Sequence, residues 1–143
     1  MLNFSHQTLP FTLPVEFIQF ITGHVTEDGL TTINLNDTSY SPTEGGFHPV
    51  EIMINKRGEK AWVVYVTDFE YVGDGYNTEL AKSNDFDFLN NVYFSLNIGR
   101  ELPLTSELGE FFTLLVNNFV SYAEIGLLDK VEISHDNTHV FNS

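Results

Sequence analysis

The chain lacks cysteine altogether, and its 143 residues include only six Lys and Arg. Each shortage excludes something. Without cysteine there is no disulfide framework and no thiolate metal site. Six cations cannot build the basic face that neutralises phosphates, so direct nucleic-acid binding is not expected. Their placement is uneven as well. None occurs from Met1 to Asn55, while Lys56, Arg57 and Lys60 fall together. No apolar run approaches the ~20 residues of a membrane-spanning helix. The amino terminus shows neither the cationic start nor the small-residue cleavage pattern of a secretory signal. A cytoplasmic protein with no membrane partner is the simplest expectation. Catalytic signatures are missing too: neither G-x-S-x-G nor H-E-x-x-H occurs. Gly73-Asp74-Gly75 has no third glycine and no following helix to cradle a phosphate, so it reads as a turn.

What the chain does have is acid and aromatic surface. Twenty Asp and Glu give a formal net charge of −14, and thirteen Phe and six Tyr contribute to 42% hydrophobic residues. That is enough apolar surface for one core, so residues 1–143 are expected to form a single domain rather than a disordered chain.

Periodicity divides the chain into elements. Pro14 to Ile21 reads as a short amphipathic helix, with Pro at its first position and Glu16 in its first turn. Thr31 to Asn36 alternates as a strand. Phe47 to Ile54 and Ala61 to Val72 form two strand-like runs joined by a polar connection, which predicts an antiparallel hairpin with one apolar and one wet face. Asp85 to Leu89 and Val92 to Asn97 flank Asn90-Asn91 as a second hairpin. From Ser106 to Glu124 the period changes to three and four, with Ser106 as N-cap and Gly126 as the stop. Leu128 to Ser134 is a last strand. The sum is an α+β domain in which an antiparallel β-sheet is flanked by an N-terminal helix and a long helix in the C-terminal half.

In the second strand of the first hairpin Asp68 and Glu70 alternate with Phe69 and Tyr71, and in the first strand of the second hairpin Asp85 and Asp87 alternate with Phe86 and Phe88. Alternation puts each acidic pair on one face, and adjacent hairpins would set the two pairs side by side. The four residues Asp68, Glu70, Asp85 and Asp87 are therefore the candidate binding patch. Paired carboxylates can also hold a divalent cation, but a wet strand face demands polar residues in any case, and neither metal nor cofactor is expected. Of the five histidines, His48 at a strand start is read as structural, and His135 and His139 as part of a frayed tail. Lys56, Arg57 and Lys60 read as a solvated hairpin tip, and Phe111, Phe112, Phe119 and Tyr122 as core or subunit contacts.

Four segments carry a resemblance: GGFHPVEI at Gly45–Ile52, TDFEYVGDG at Thr67–Gly75, the run from Glu79 to Phe88 ending in DFDF, and NNFVSYAEIG at Asn117–Gly126. Through them the stretch Gly45 to Ser134 resembles a family of small acidic bacterial proteins of unknown function, often encoded on mobile or pathogenicity islands. That family is in turn structurally similar to the mitochondrial acidic matrix proteins, also known as a receptor for the globular heads of a complement component. The resemblance implies an antiparallel sheet with terminal helices, ring-like homo-oligomers with a charged face, and a multi-ligand binding protein rather than an enzyme. It carries over no catalytic residues.

The expectation from charge and resemblance together is a non-enzymatic acidic module that docks basic protein partners, as a homo-oligomer. A mimic of nucleic acid that inhibits a DNA-binding enzyme is the alternative within binding. A small metal-dependent hydrolase using His48, Asp68, Asp85 and Asp87 is the alternative outside it, and it requires those four side chains to converge.

Overall fold

Alternating apolar residues in the strand segments build one face of a sheet, and that face organises everything else. The computed structural model describes residues 1–5 and 9–136. Its strands are β1 (Asn3–Phe4), β2 (Gly29–Asn36), β3 (Val50–Arg57), β4 (Lys60–Val72), β5 (Glu79–Asp87), β6 (Val92–Ser95), β7 (Arg100–Pro103) and β8 (Lys130–Asp136). They form an eight-stranded sheet in the order β7-β6-β5-β4-β3-β2-β8, with β1 beside β4. All pairings are antiparallel except the two-residue pairing of β1 with β4.

Two α-helices are present among the described residues, α1 (Val15–His24) and α2 (Gly109–Glu124), the latter entered through a 3-10 turn at Ser106–Leu108. Phe17, Phe20 and Ile21 of α1 and Phe112, Val116, Phe119 and Val120 of α2 are buried. They join Ile33, Leu35, Ile52, Ile54, Val66 and Phe86 of the sheet in one core. These sheet residues all belong to one face, so both helices lie on the same side. No helix among the described residues lies over the other face.

The α+β class, the two helices and the two hairpins agree with the sequence reading. Its boundaries shift by a few residues, and it contains neither β1 nor β7, which are too short to show a period. Ser106 is the first residue of the 3-10 turn, not the cap, and no side chain caps that turn. His135 lies in β8 opposite Thr31, with Nδ1 3.2 Å from Thr31 Oγ1, so it is paired rather than frayed. His6 and His139 lie outside the described residues. Nor is the basic hairpin tip simply solvated: Lys56 Nζ donates to Asp28 at 2.9 Å, and that bond leads the forces that lower the Asp28 pKa.

The aromatic hub is Phe112, which is fully buried. Its ring meets Phe11, Phe17, Phe86 and Phe88 at centroid distances of 5.0 to 5.8 Å. These contacts tie α1, α2 and the sheet into one body. Phe112→Ala is expected to lower the unfolding free energy by about 3–5 kcal/mol, the usual range for a phenylalanine removed from a packed core. Urea denaturation followed by circular dichroism measures it.

Candidate functional site

Which carboxylates face which side is decided by one residue. Across β3 and β4, Met53 opposes Tyr65 and Ile54 opposes Val63, so Val64 has no partner. This bulge shifts the alternation of β4 by one: Ala61 and Val63 point to the core before it, and Val66 and Asp68 after it. Asp68 therefore lies on the helix side, opposite Val50, and is 6% exposed. Thr67 takes the open face, and so does Asp85, its partner on β5. Asp87 follows Asp85 by period two, and Glu70 follows Asp68. The expected patch of Asp68, Glu70, Asp85 and Asp87 does not exist as one surface. It splits into two pairs on opposite sides of the sheet.

On the helix side, Asp68 is the floor of a small cleft. Its Oδ1 accepts hydrogen bonds from the Asn84 backbone N–H at 2.8 Å and from Asn84 Nδ2 at 3.1 Å. The Tyr93 hydroxyl donates to Asn84 Oδ1 at 2.6 Å and holds that amide in place. The partner of Oδ2 is His48 Nδ1, 3.7 Å away and beyond hydrogen-bond distance. The cleft has a volume of about 230 Å³, and Gly46, Phe47, His48, Asn118 and Tyr122 line it with Asp68.

The loop from Asp37 to Pro49 forms one wall, and polar side chains fix it. Asp37 accepts from the backbone N–H groups of Ser39 and Phe47, both at 2.9 Å. Thr38 donates through its hydroxyl and its backbone N–H to Asp129, between α2 and β8. Both carboxylates are held below their ordinary pKa, in each case chiefly by a hydroxyl donor, Ser39 for Asp37 and Thr38 for Asp129. Gly46 has φ of +138°, and a Cβ there would stand 2.7 Å from Asp37 Oδ2. Only glycine closes this corner without displacing the loop. The loop then sets Phe47 against Tyr122, with ring centroids 4.5 Å apart, and His48 beside Tyr40 at 5.6 Å.

On the open face, register aligns a row of side chains across the strands. From one edge to the other it reads Glu132, Asn34, Glu51, Thr67, Asp85, Phe94, Glu101. Carboxylates thus occupy β8, β3, β5 and β7, every second strand. Thr67 donates to Asp85 at 2.6 Å, and the Tyr65 hydroxyl donates to Glu51. Burial first, and then that bond, push the Tyr65 phenol well above its ordinary pKa. Lys82 stands 3.3 Å from Asp85, and Lys130 3.2 Å from Glu132. Asp85, Asp87, Val92, Phe94 and Glu101 line a shallow hollow of about 440 Å³. Asp87 also accepts from the backbone and side chain of Asn90, which shapes the β5–β6 turn.

The four residues weighed for a metal-dependent hydrolase do not converge, since His48 and Asp68 lie on one side of the sheet and Asp85 and Asp87 on the other. Among the described residues no three His, Asp or Glu side chains come together as metal ligands. No helix among them is long and apolar enough to cross a membrane. Glu51, Glu101 and Glu132 were not identifiable as neighbours of Asp85 from the sequence, because only register brings them together.

Residues 16–134 match the family described as protein of unknown function DUF2787. The chain belongs to this family. Two solved structures are similar along nearly its whole length. A hypothetical protein from the VSP-II pathogenicity island of Vibrio cholerae is 30% identical, with a TM-score of 0.74 over 93% of this chain and 100% of that one. A conserved hypothetical protein from pathogenicity island VPI-2 of Vibrio cholerae O1 biovar eltor is 27% identical. Its TM-score is 0.75 over 92% of this chain and 100% of its own, and it is described as sharing structural homology with human P32. No curated protein matches the chain. The likeness to the mitochondrial acidic matrix protein, P32, expected from the sequence motifs therefore holds for the fold of this DUF2787 protein.

The His48–Asp68 pair makes one property measurable. Asp68 holds the imidazole above its ordinary pKa of 6.5, chiefly through the close approach of its side chain, which outweighs the opposing effect of burial; the charges of Asp68 and Glu70 add a smaller push. A folded-state pKa raised above the unfolded one stabilises the fold fully below about pH 6.5, and that contribution fades as pH rises through the folded midpoint. Nitrogen-detected NMR titration should place the His48 midpoint above 6.5, and Asp68→Asn should bring it down.

Proposed function

We propose that this DUF2787 protein is a non-enzymatic docking module that captures a basic segment of a protein partner on the open face of its sheet. The observation that carries the reading is the cross-strand row of Glu132, Glu51, Asp85 and Glu101 on a face that no helix covers. Neighbouring strands lie about 4.8 Å apart, so carboxylates on alternate strands repeat at about 9.6 Å. A polyproline II segment advances about 9.3 Å in each three-residue turn. Lys or Arg at every third position of such a segment would meet successive carboxylates.

Chemistry between the carboxylates suits the same partner. Phe94 lies between Asp85 and Glu101 in the row, and Tyr65 and Met53 form the adjacent row. Long cationic side chains lay their alkyl stems on such surface and gain from the ring faces. A net charge of −14 draws basic partners from a distance and repels nucleic acid. The donors from Thr67 and Tyr65 orient Asp85 and Glu51 before any partner arrives, which reduces the ordering cost of binding.

Fluorescence anisotropy with synthetic peptides of equal composition tests the reading. A peptide with Lys at every third position should bind at low salt, lose affinity steeply as salt rises, and bind better than one with Lys at every second position. Replacing Asp85 with Asn together with Glu101 with Gln should weaken it. Equal binding of the two spacings would defeat the register argument, and no binding at low salt would defeat the docking module itself.

A further inference from the structure

The cleft on the helix side points to a second, chemically different site. We infer that it binds a single primary alkylammonium group on Asp68, walled by the aromatic rings of Phe47 and Tyr122. This does not rest on the sheet-face reading: the two sites lie on opposite sides of the sheet and share no residue.

Asp68 is a carboxylate in an unfavourable place. The Asp68 side chain is 8% exposed, among Val50, Phe119 and Leu128. Burying a carboxylate is costly unless both oxygens are satisfied. Oδ1 is satisfied, by the two nitrogens of Asn84. Oδ2 is not: among the described residues its partner is His48 at 3.7 Å. The oxygen lines an open cleft rather than closed core, and the fixed loop and the Asn84–Tyr93 bond hold the walls around it. A cation entering the cleft would complete the set of partners that the fold leaves incomplete.

The same geometry selects the kind of cation. A guanidinium binds best through two parallel hydrogen bonds to two carboxylate oxygens. Here Oδ1 is already occupied, which leaves one acceptor. An ammonium needs only one strong anionic acceptor, and its remaining protons can reach neutral acceptors such as Asn118 Oδ1. The Phe47 and Tyr122 rings line the cleft, packed on each other with centroids 4.5 Å apart, and give apolar contact to the alkyl chain of the cation. A metal ion is disfavoured, because among the described residues no third His, Asp or Glu joins Asp68 and His48 to complete a ligand set.

His48 is the built-in competitor. When protonated it is itself the cation facing Oδ2; when neutral it leaves that oxygen to a ligand. The groups around it are Asp68 and Glu70 of β4 and the Tyr40 ring of the loop. From α2 the cleft receives Asn118 and Tyr122 but no charged side chain. Amine binding therefore releases a proton from His48, and affinity rises with pH across its midpoint until the amine itself deprotonates.

The ligand chemistry is available free, as a small amine, or on a protein, as a lysine side chain, and one titration separates them. The full-length ¹⁵N-labelled protein is titrated by NMR with butylammonium, methylguanidinium and the capped tripeptide acetyl-Gly-Lys-Gly-amide. Saturable shifts at His48, Asn118 and Tyr122 are expected with butylammonium, stronger than with methylguanidinium and stronger at about pH 8 than at about pH 6. Asp68→Asn should weaken binding about tenfold or more, as for a lost hydrogen bond to a charged group. Leu115→Trp should block the cleft while leaving Asp68 in place, so the test survives if the first variant folds poorly. Glu107→Gln removes the same single charge from an exposed turn and should change nothing. Tighter binding of the tripeptide assigns the site to a partner's lysine, and tighter binding of butylammonium assigns it to a free amine. No saturable shift with either, or equal binding in Leu115→Trp, overturns the site, whereas a preference for methylguanidinium overturns the choice of ammonium.

Discussion

The unopposed residue Val64 sets the parity of the longest strand, and through it the character of both faces of the sheet. Ahead of it, β4 buries Ala61 and Val63. Beyond it the inward positions pass to Val66, Asp68 and Glu70, and the outward ones to Tyr65, Thr67 and Phe69. Because side chains alternate with period two, one inserted residue exchanges the faces of every residue that follows. β5 inherits the consequence through its register, with a second unopposed residue at Ser83 between the pairs Asp68–Asn84 and Phe69–Lys82. Asp85 is thereby delivered to the open face and Asn84 to the Asp68 carboxylate. A strand without the first bulge would point Thr67 at the core and leave Asp68 in water.

From this follows an uneven division of labour between the faces. Helices α1 and α2 cover one side only, so burial concentrates there, and the rings around Phe112 close that layer. The uncovered side must tolerate water, and it does so with half-buried aromatics held among carboxylates and amides. Such a face is neither a core nor an ordinary wet surface. Aromatic surface exposed on a sheet face is suited to contact with a partner, while the carboxylates discourage indiscriminate apolar association.

Much of the architecture was legible from periodicity, and each failure has its own physical source. Helix α2 was plain because Phe112, Phe119 and their neighbours repeat at helical spacing over four turns, and the β3–β4 hairpin was plain because two long β-rich runs flank a Gly58 turn with φ of +60°. The very short strands β1 and β7 left no period to read. The candidate patch failed for a different reason: Phe69 and Tyr71 look like core residues and Asp68 and Glu70 like surface ones. Only the bulge reverses that pattern, and nothing local in the sequence Trp62–Thr67 announces a bulge among so many β-formers. The true acidic row draws Glu51, Asp85, Glu101 and Glu132 from four strands, and its members are neighbours solely because of pairing register. His48 was read as structural, and its position on Asp68 depends on a loop whose closure rests on Asp37, Asp129 and the backbone of Gly46.

Asp68 is where foldability and function pull apart most clearly. Its neighbours on the same face, Val50 and Val66, would pack with an aliphatic residue at this position without any need for Asn84, Tyr93 or His48. A hydrophobic replacement of similar volume is commonly neutral or stabilising at such a site. The fold instead surrounds a carboxylate with an amide aimed by a tyrosine hydroxyl, and sets an ionisable ring opposite its second oxygen. A network of this kind contributes little that a valine could not, so stability alone gives a weak account of it. Local departures from the simplest packing concentrate at functional sites. The cleft is a place on the helix side where the chain departs from an apolar core at real cost, and it leaves Asp68 Oδ2 with no partner within hydrogen-bond distance among the described residues.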